Sequence, residues 1–213
     1  MEKPMITPDQ ATKMLERGNS RYMSGGLEHP HLGQARRTLT AMHGQSPFAA
    51  VLSCADSRVP VELIFDCGIS DIFVVRVTGN VLGATQLGSI EYAVDRVGVT
   101  LFVVLGHTKC GVVKAVCESG VLEGNLQRIS ERILPAVQEV DRTSPGIPAD
   151  QKITEAVKAN VWNSIQLAFM SSKLIRHKVR ADELRLIGAF YDIETGVVHW
   201  MGDHPDQDRL LGS

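Results

Sequence analysis

The sequence predicts an α/β fold: a mostly parallel central sheet with flanking helices, an N-terminal helical arm and a C-terminal antiparallel hairpin. Three observations carry this. Short apolar runs rich in β-branched residues recur at 48–52, 72–77 and 100–105, as in strands buried on both faces of a parallel sheet. Helical patterns separate them, as α/β units require. The chain has 213 residues, 44% hydrophobic and 22% charged. That is enough to build a full core without staples, and too apolar for a disordered chain.

Residues 8–24 read as a helix, because Thr7 or Asp9 offers an N-cap and Ala11, Met14, Leu15 and Tyr22 fall near helical spacing. The glycine-rich stretch 25–33 is a loop, and 34–43 forms a second short helix, so that 1–43 makes up the arm. The strand at 48–52 leads into a polar segment. The strand at 72–77 is followed by a helix around 86–96, and the strand at 100–105 by a helix at 111–119. The stretch 141–152, with Pro145, Gly146 and Pro148, reads as a loop. Residues 153–177 read as one long helix, with Val157, Val161, Ile165, Ala168 and Leu174 on one side. A strand at 184–193, a turn at Glu194-Thr195-Gly196 and a strand at 197–201 make the hairpin. The last dozen residues are polar and expected to fray. No composition shift marks a boundary, so residues 1–213 are expected to form one domain.

Lysine and arginine number 22 against 24 acidic residues, a net charge of −2, which argues against a general nucleic-acid-binding protein. No apolar run approaches the roughly 18 residues of a membrane span, and the start of the chain has no signal-peptide pattern. A cytoplasmic protein with no nucleic-acid and no membrane partner is expected. The four cysteines, Cys54, Cys67, Cys110 and Cys117, are too few for a disulfide scaffold. In such a chain they serve as metal ligands, catalytic groups or core residues.

Two segments carry chemistry. Cys54-Ala55-Asp56-Ser57-Arg58 follows the first strand. If it stays extended, Cys54, Asp56 and Arg58 project together, because side chains two apart share a face. His107-Thr108-Lys109-Cys110 follows another strand, behind Gly106. Ligands in open α/β sheets gather at the carboxyl ends of strands, so the two segments are positioned to meet. Two cysteines and a histidine favour zinc. The fourth position is left for water, substrate or Asp56, which is the catalytic rather than the structural arrangement. Plainer readings stand beside this one: Cys54 and Cys110 as inert buried thiols, and Asp56 with Arg58 as a structural ion pair. Cys67 and Cys117 read as core or surface thiols. His29, His31, His43, His177, His199 and His204 read as surface or internally satisfied residues, with His43 also a proton-shuttle candidate. The chain has no GxGxxG, no phosphate-loop spacing and no CxxC pair, so dinucleotide, phosphate-loop and dithiol redox chemistry are not indicated.

The sequence resembles the β-class carbonic anhydrases. The likeness is carried by CADSR at 54–58, VVRVTGN at 74–80, GSIEYAV at 88–94 and GHTKCGVV at 106–113, with LERGNSRYMSG at 15–25 and IGAFYDIETGVV at 187–198. It implies one zinc per chain on Cys54, His107 and Cys110. It implies a catalytic dyad, Asp56 and Arg58, that controls access to the metal, with Asp56 as a fourth ligand in a closed form. The implied reaction is reversible hydration of carbon dioxide to bicarbonate and a proton, with a zinc-held hydroxide as nucleophile. The substrate-binding candidates are Gln45, in the GQSP segment at 44–47 that resembles plant-like members, together with Phe73 and Gly111. Plant-like members also carry a tyrosine at about the place of Gly83.

Some members bind bicarbonate at a separate site, using a tryptophan three residues before the first cysteine. Val51 stands there, so this site is expected to be incomplete, although Arg76 matches its arginine and Tyr191 its tyrosine. The resemblance further implies a homodimer or tetramer, with the N-terminal helix reaching across to the neighbour. Hydrolysis of carbonyl sulfide or carbon disulfide, and non-catalytic zinc or bicarbonate binding, are the alternatives. Zinc with two thiolates and a neutral imidazole has no net charge, whereas a three-histidine site has a charge of +2 and a water pKa of about 7. Activity is therefore expected to rise with pH above about 7.

Overall fold

The computed structural model describes residues 6–212; residues 1–5 of the expected arm and Ser213 of the expected tail lie outside them. The strands are β1 (Ala49–Ser53), β2 (Ile72–Arg76), β3 (Leu101–His107), β4 (Arg185–Tyr191) and β5 (Val198–Asp203). They form one sheet in the order β2-β1-β3-β4-β5. The first four run parallel, and β5 returns antiparallel beside β4, as the sequence predicts. Every residue of β1 and β3 is buried, which is why their apolar runs are continuous rather than alternating. At the edge, β2 is half-buried.

The chain leaves β1 for β2 on one side and returns to place β3 on the other. At such a reversal of winding a crevice opens beyond the carboxyl ends of the strands. Cys54 follows β1 and His107 ends β3, so the topology delivers both to that crevice.

The helices are α1 (Pro8–Ser24), α2 (Gln34–His43), α3 (Val61–Ile64), α4 (Ala84–Tyr92), α5 (Gly111–Ser119), α6 (Gln127–Thr143), α7 (Ala149–Ser171), α8 (Lys173–Arg180) and α9 (Gln207–Gly212). One sheet face, through Ala50, Leu52, Phe102, Val104 and Leu186, packs on α4, α7, α8 and α9. The other, through Ala49, Val51, Leu101, Val103 and Ile187, packs on α1 and α3. A third cluster joins α5 and α6 to α7 beside Cys54 and Cys110. Among the described residues no helix is long and apolar enough to cross a membrane.

Of the two candidate caps, Thr7 serves: its hydroxyl accepts from Gln10 N–H while the Gln10 side chain accepts from Thr7 N–H, a reciprocal capping box. By contrast, α2 buries none of its residues. The arm is fastened by two buried carboxylates. Asp66 accepts from Arg21 Nε at 2.5 Å and from the N–H groups of Glu28 and His29 at 3.0 Å. Asp71 accepts from Gly68 N–H at 2.8 Å and Arg36 Nη2 at 3.3 Å, and lies 2.7 Å from His31 Nδ1.

The second half departs from the sequence pattern. The loop expected at 141–152 shrinks to 144–148, between α6 and α7. The sequence pattern assigns no element to the stretch that forms α6. Ile129, Ile133, Val137 and Val140 do repeat there at helical spacing and join the third cluster, but Pro135 inside the helix obscures the repeat. The helix expected at 153–177 is two. Ser172 adopts extended backbone after α7, and its hydroxyl accepts from Ile175 N–H to start α8. The tail expected to fray instead completes β5 and forms α9, whose Leu210 is buried in the first cluster. The helix expected at 86–96 is α4 followed by a wider helical turn at Ala93–Val97.

Candidate active site

β3 runs two residues further than the sequence pattern predicts, so His107 is the last residue of a buried central strand rather than part of a loop. Cys54 directly follows β1, and Cys110 directly precedes α5. All three are buried, and their ligand atoms lie within 4.8 Å of one another. One ion with bonds of roughly 2.0–2.3 Å spans such a set. His107 Nδ1 lies 2.9 Å from the carbonyl oxygen of Thr108. A carbonyl only accepts, so the proton sits on Nδ1 and the lone pair on Nε2. Nε2 is buried without a hydrogen-bond partner. A buried acceptor left unpaired is destabilising, and the inert-cysteine reading gives it no purpose. A metal does: the donor set of two thiols and an oriented imidazole fits zinc.

Neighbouring backbone fixes His107 and Cys54. Thr108 is held by its N–H on the Tyr191 carbonyl at 2.9 Å and by Ile193 N–H on its hydroxyl at 3.0 Å. Cys54 Sγ accepts from Gly79 N–H at 3.2 Å and Asp56 N–H at 3.4 Å. Glycine is required at 79: φ is +73°, and a Cβ would stand 2.8 Å from Val112 and 2.9 Å from Ile133. A hydrogen bond from the Cys110 thiol pulls the Cys54 thiol well below its ordinary range against the effect of burial, aided by the two N–H groups. Cys110 rises correspondingly, since it keeps the proton and is itself buried.

Residues 54–58 do not stay extended. A turn, closed by Val59 N–H on the Asp56 carbonyl at 3.0 Å, folds Arg58 back. Asp56 and Arg58 therefore meet through this turn, not through strand alternation. Asp56 Oδ1 accepts from Arg58 N–H at 2.9 Å and Nε at 3.0 Å, and Oδ2 accepts from Nη2 at 2.7 Å. The Arg58 side chain holds the Asp56 carboxyl well below the usual carboxylate range, against a smaller effect of burial. Arg58 Nη2 also donates to the Lys109 carbonyl at 3.2 Å, and Lys109 has the left-handed φ of +55°. Asp56 Oδ2 stands 4.0 Å from His107 Nε2, a short movement from the ligand atoms.

Gly111 opens α5 beside Cys110, exposed, with no atom within 4 Å of a Cβ placed on it. Gln45 and Phe73 are elsewhere. Gln45 is exposed in the loop before β1. Phe73 pairs with Ala50, about 13 Å of extended chain before Cys54, and its ring lies 6.4 Å from that of Tyr92. Within one chain neither joins the cluster. His43 ends the exposed α2, and Cys67 and Cys117 lie outside the ligand cluster.

The residues matched to a separate bicarbonate site are engaged in other contacts. The Tyr191 hydroxyl lies 3.3 Å from that of Tyr22. Arg76 Nε donates to the Cys54 carbonyl at 3.1 Å, and Nη2 to the Asp56 carbonyl at 2.6 Å. Sequence reasoning missed these Arg76 contacts, the Thr108 carbonyl and the Gly79 N–H. A glycine shortly after a strand, Gly79 behind the run at 72–77, was the one available signal.

The family described as Carbonic anhydrase matches residues 49–198. "Carbonic anhydrase 2" of Mycobacterium tuberculosis is 36% identical over 197 residues, covering 91% of this chain and 92% of its own. Among solved structures, the β-carbonic anhydrase CafA of Aspergillus fumigatus aligns with a TM-score of 0.76 at 22% identity, covering 94% of each chain. The structures of two tetrameric β-carbonic anhydrases from Sordaria macrospora include one with a TM-score of 0.69 at 23% identity, covering 91% of this chain and 98% of that one. At those identities the two structures speak to the fold alone.

Proposed function

The chain belongs to the β class of the carbonic anhydrases, enzymes of carbon dioxide hydration, and from that premise we propose that it holds one zinc ion on Cys54, His107 and Cys110, with Asp56 and Arg58 governing access to the metal. The observation that carries the reading is the orphaned Nε2 of His107 among two buried thiols. Zinc bound there supplies a Lewis acid that lowers the pKa of water, and so a nucleophile near neutral pH.

The chain's own residues do the rest. His107 offers Nε2 in one orientation, because Thr108 holds the proton on Nδ1. Arg58 grips both oxygens of Asp56 and so keeps the carboxylate off the metal. Held in that way, the carboxylate accepts a hydrogen bond from the attacking group and orients it. Released, it would reach the ligand atoms by a short movement and would itself serve as a ligand to a zinc held there. Gly111 leaves room for substrate at the start of α5, where the helix N-terminus favours an anionic product.

Gln45 and Phe73 act, in this reading, from a second copy of the chain. α2, which precedes Gln45, exposes Leu39 and Met42, an apolar surface that a dimer or tetramer would cover. Residues 1–213 then work as one catalytic unit, with 1–43 as the arm. A cytoplasmic setting belongs to the same reading and is supported by the four free thiols.

Stopped-flow hydration of carbon dioxide by zinc-replete protein, from about pH 6.5 to 9, tests the proposal. A rate that rises with pH is expected. A sharp switch from none to full activity would indicate Asp56 leaving the metal. No activity at any pH with zinc bound would overturn the reading in favour of carbonyl sulfide or carbon disulfide hydrolysis, or of a binding role.

A further inference from the structure

Arg76 ends β2 at the edge of the sheet, exposed, and among the described residues it forms no ion pair. Its guanidinium is committed to backbone instead. Nε donates to the Cys54 carbonyl at 3.1 Å and Nη2 to the Asp56 carbonyl at 2.6 Å. Between these, Ala55 N–H donates to the Val77 carbonyl at 3.2 Å. Segment 54–56 has left β1 and has no regular structure of its own. Three successive residues of it are thus tied to two residues at the end of β2.

We propose that Arg76 is a positioning residue for the metal centre, clamping the carbonyls of Cys54 and Asp56 so that the Cys54 thiolate and the Asp56 carboxylate face it in fixed directions. Each peptide unit is planar, so holding these two carbonyls fixes the peptide planes on the carboxyl side of Cys54 and of Asp56. If the first plane rotates, the chain at Cys54 turns and Sγ swings away from the Gly79 N–H that orients it. If the second rotates, the turn that brings Arg58 N–H to the Asp56 carboxylate opens. Arginine suits the task because its planar fork presents two N–H groups in fixed relation, whereas lysine reaches with a single point of charge. Arg76 itself touches neither metal nor substrate.

The inference rests on the reading of Cys54, His107 and Cys110 as zinc ligands. Arg76→Ala and Arg76→Lys are compared with the wild type by chelator competition for zinc, by the visible spectrum of the cobalt(II)-substituted protein, and by the thermal midpoint of the metal-free chain. For Arg76→Ala the expected result is an unchanged metal-free midpoint, a loss of zinc affinity on the order of 10- to 100-fold and an altered cobalt spectrum. Arg76→Lys, keeping one donor, falls between Ala and wild type. Wild-type zinc affinity and an unaltered cobalt spectrum in Arg76→Ala would overturn the inference. So would an affinity loss that merely follows a lowered metal-free midpoint while the cobalt spectrum stays the same. Should Arg76→Ala fail to fold, Arg76→Lys and Arg76→Gln decide on the same readouts, wild-type values in both overturning it. A wild type that binds no zinc would overturn the ligand reading and this inference together, whereas normal wild-type binding beside an unaltered Arg76→Ala overturns the inference alone.

Discussion

Arg58 makes three hydrogen bonds to the Asp56 carboxylate and one to the Lys109 carbonyl, so Arg58→Ala removes all the side-chain restraint on that carboxylate. The variant is expected to hydrate carbon dioxide about tenfold or more slowly near neutral pH, the scale of losing charge-assisted bonds, while retaining zinc. Stopped-flow rates beside a zinc assay check this, and wild-type rates would end the latch reading. At this scale the sequence was informative wherever side-chain chemistry decides. CADSR and HTKC contain the groups that the fold collects within 4.8 Å, because few side chains can ligate a metal and their spacing within each motif is short. It was uninformative about Arg76 and Thr108, whose contributions depend on where carbonyls point. Resemblance even directed Arg76 toward another site.

Gly79 links strand β2 to the cluster, and its left-handed backbone aims an N–H at Cys54. Gly79→Ala is expected to lower stability by about 1–2 kcal/mol for that backbone conformation alone, more with the contacts against Val112 and Ile133, and to weaken zinc binding; thermal melting and chelator competition read both. The arm offers a pH test. Burial alone would raise the Asp66 carboxyl, but the Arg21 guanidinium and the N–H groups of Glu28 and His29 outweigh it and hold the group below its ordinary value. A depressed carboxyl contributes stability that is present above its unfolded pKa, about 3.9, and lost as pH falls through the folded value. Asp66→Asn is therefore expected to cost about 1–3 kcal/mol near neutrality, with the gap from wild type narrowing below about pH 4 in denaturation curves. Strands and the capped α1 were legible as elements because local pattern and burial agree there. α6 and the α7–α8 break were not, because a proline inside one helix and a single capping serine between two others act against the apolar period.

For the molecule as a whole, the sheet separates Gln45 and Phe73 from their own chain's cluster, and α2 stands without buried residues. Leu39→Glu with Met42→Glu is expected to reduce the oligomer toward monomer in sedimentation analysis and to lower the hydration rate with it. A monomeric variant of full activity would remove the second-copy role of Gln45 and Phe73. By itself the sequence determined the parallel sheet and the inventory of groups that could hold a metal: β-branched runs have few other ways to bury themselves, and few side chains offer a thiol, an imidazole or a carboxylate. Only the tertiary structure decided how these parts work together. The reversal of winding between β1 and β3 brings the two motifs to one crevice. The Thr108 carbonyl selects the His107 tautomer, the 56–59 turn pairs Asp56 with Arg58, and the strand directions place Gln45 at the far end. All of these rest on the directions of backbone N–H and C=O groups, which do not distinguish one side chain from another and which only the folded chain orients.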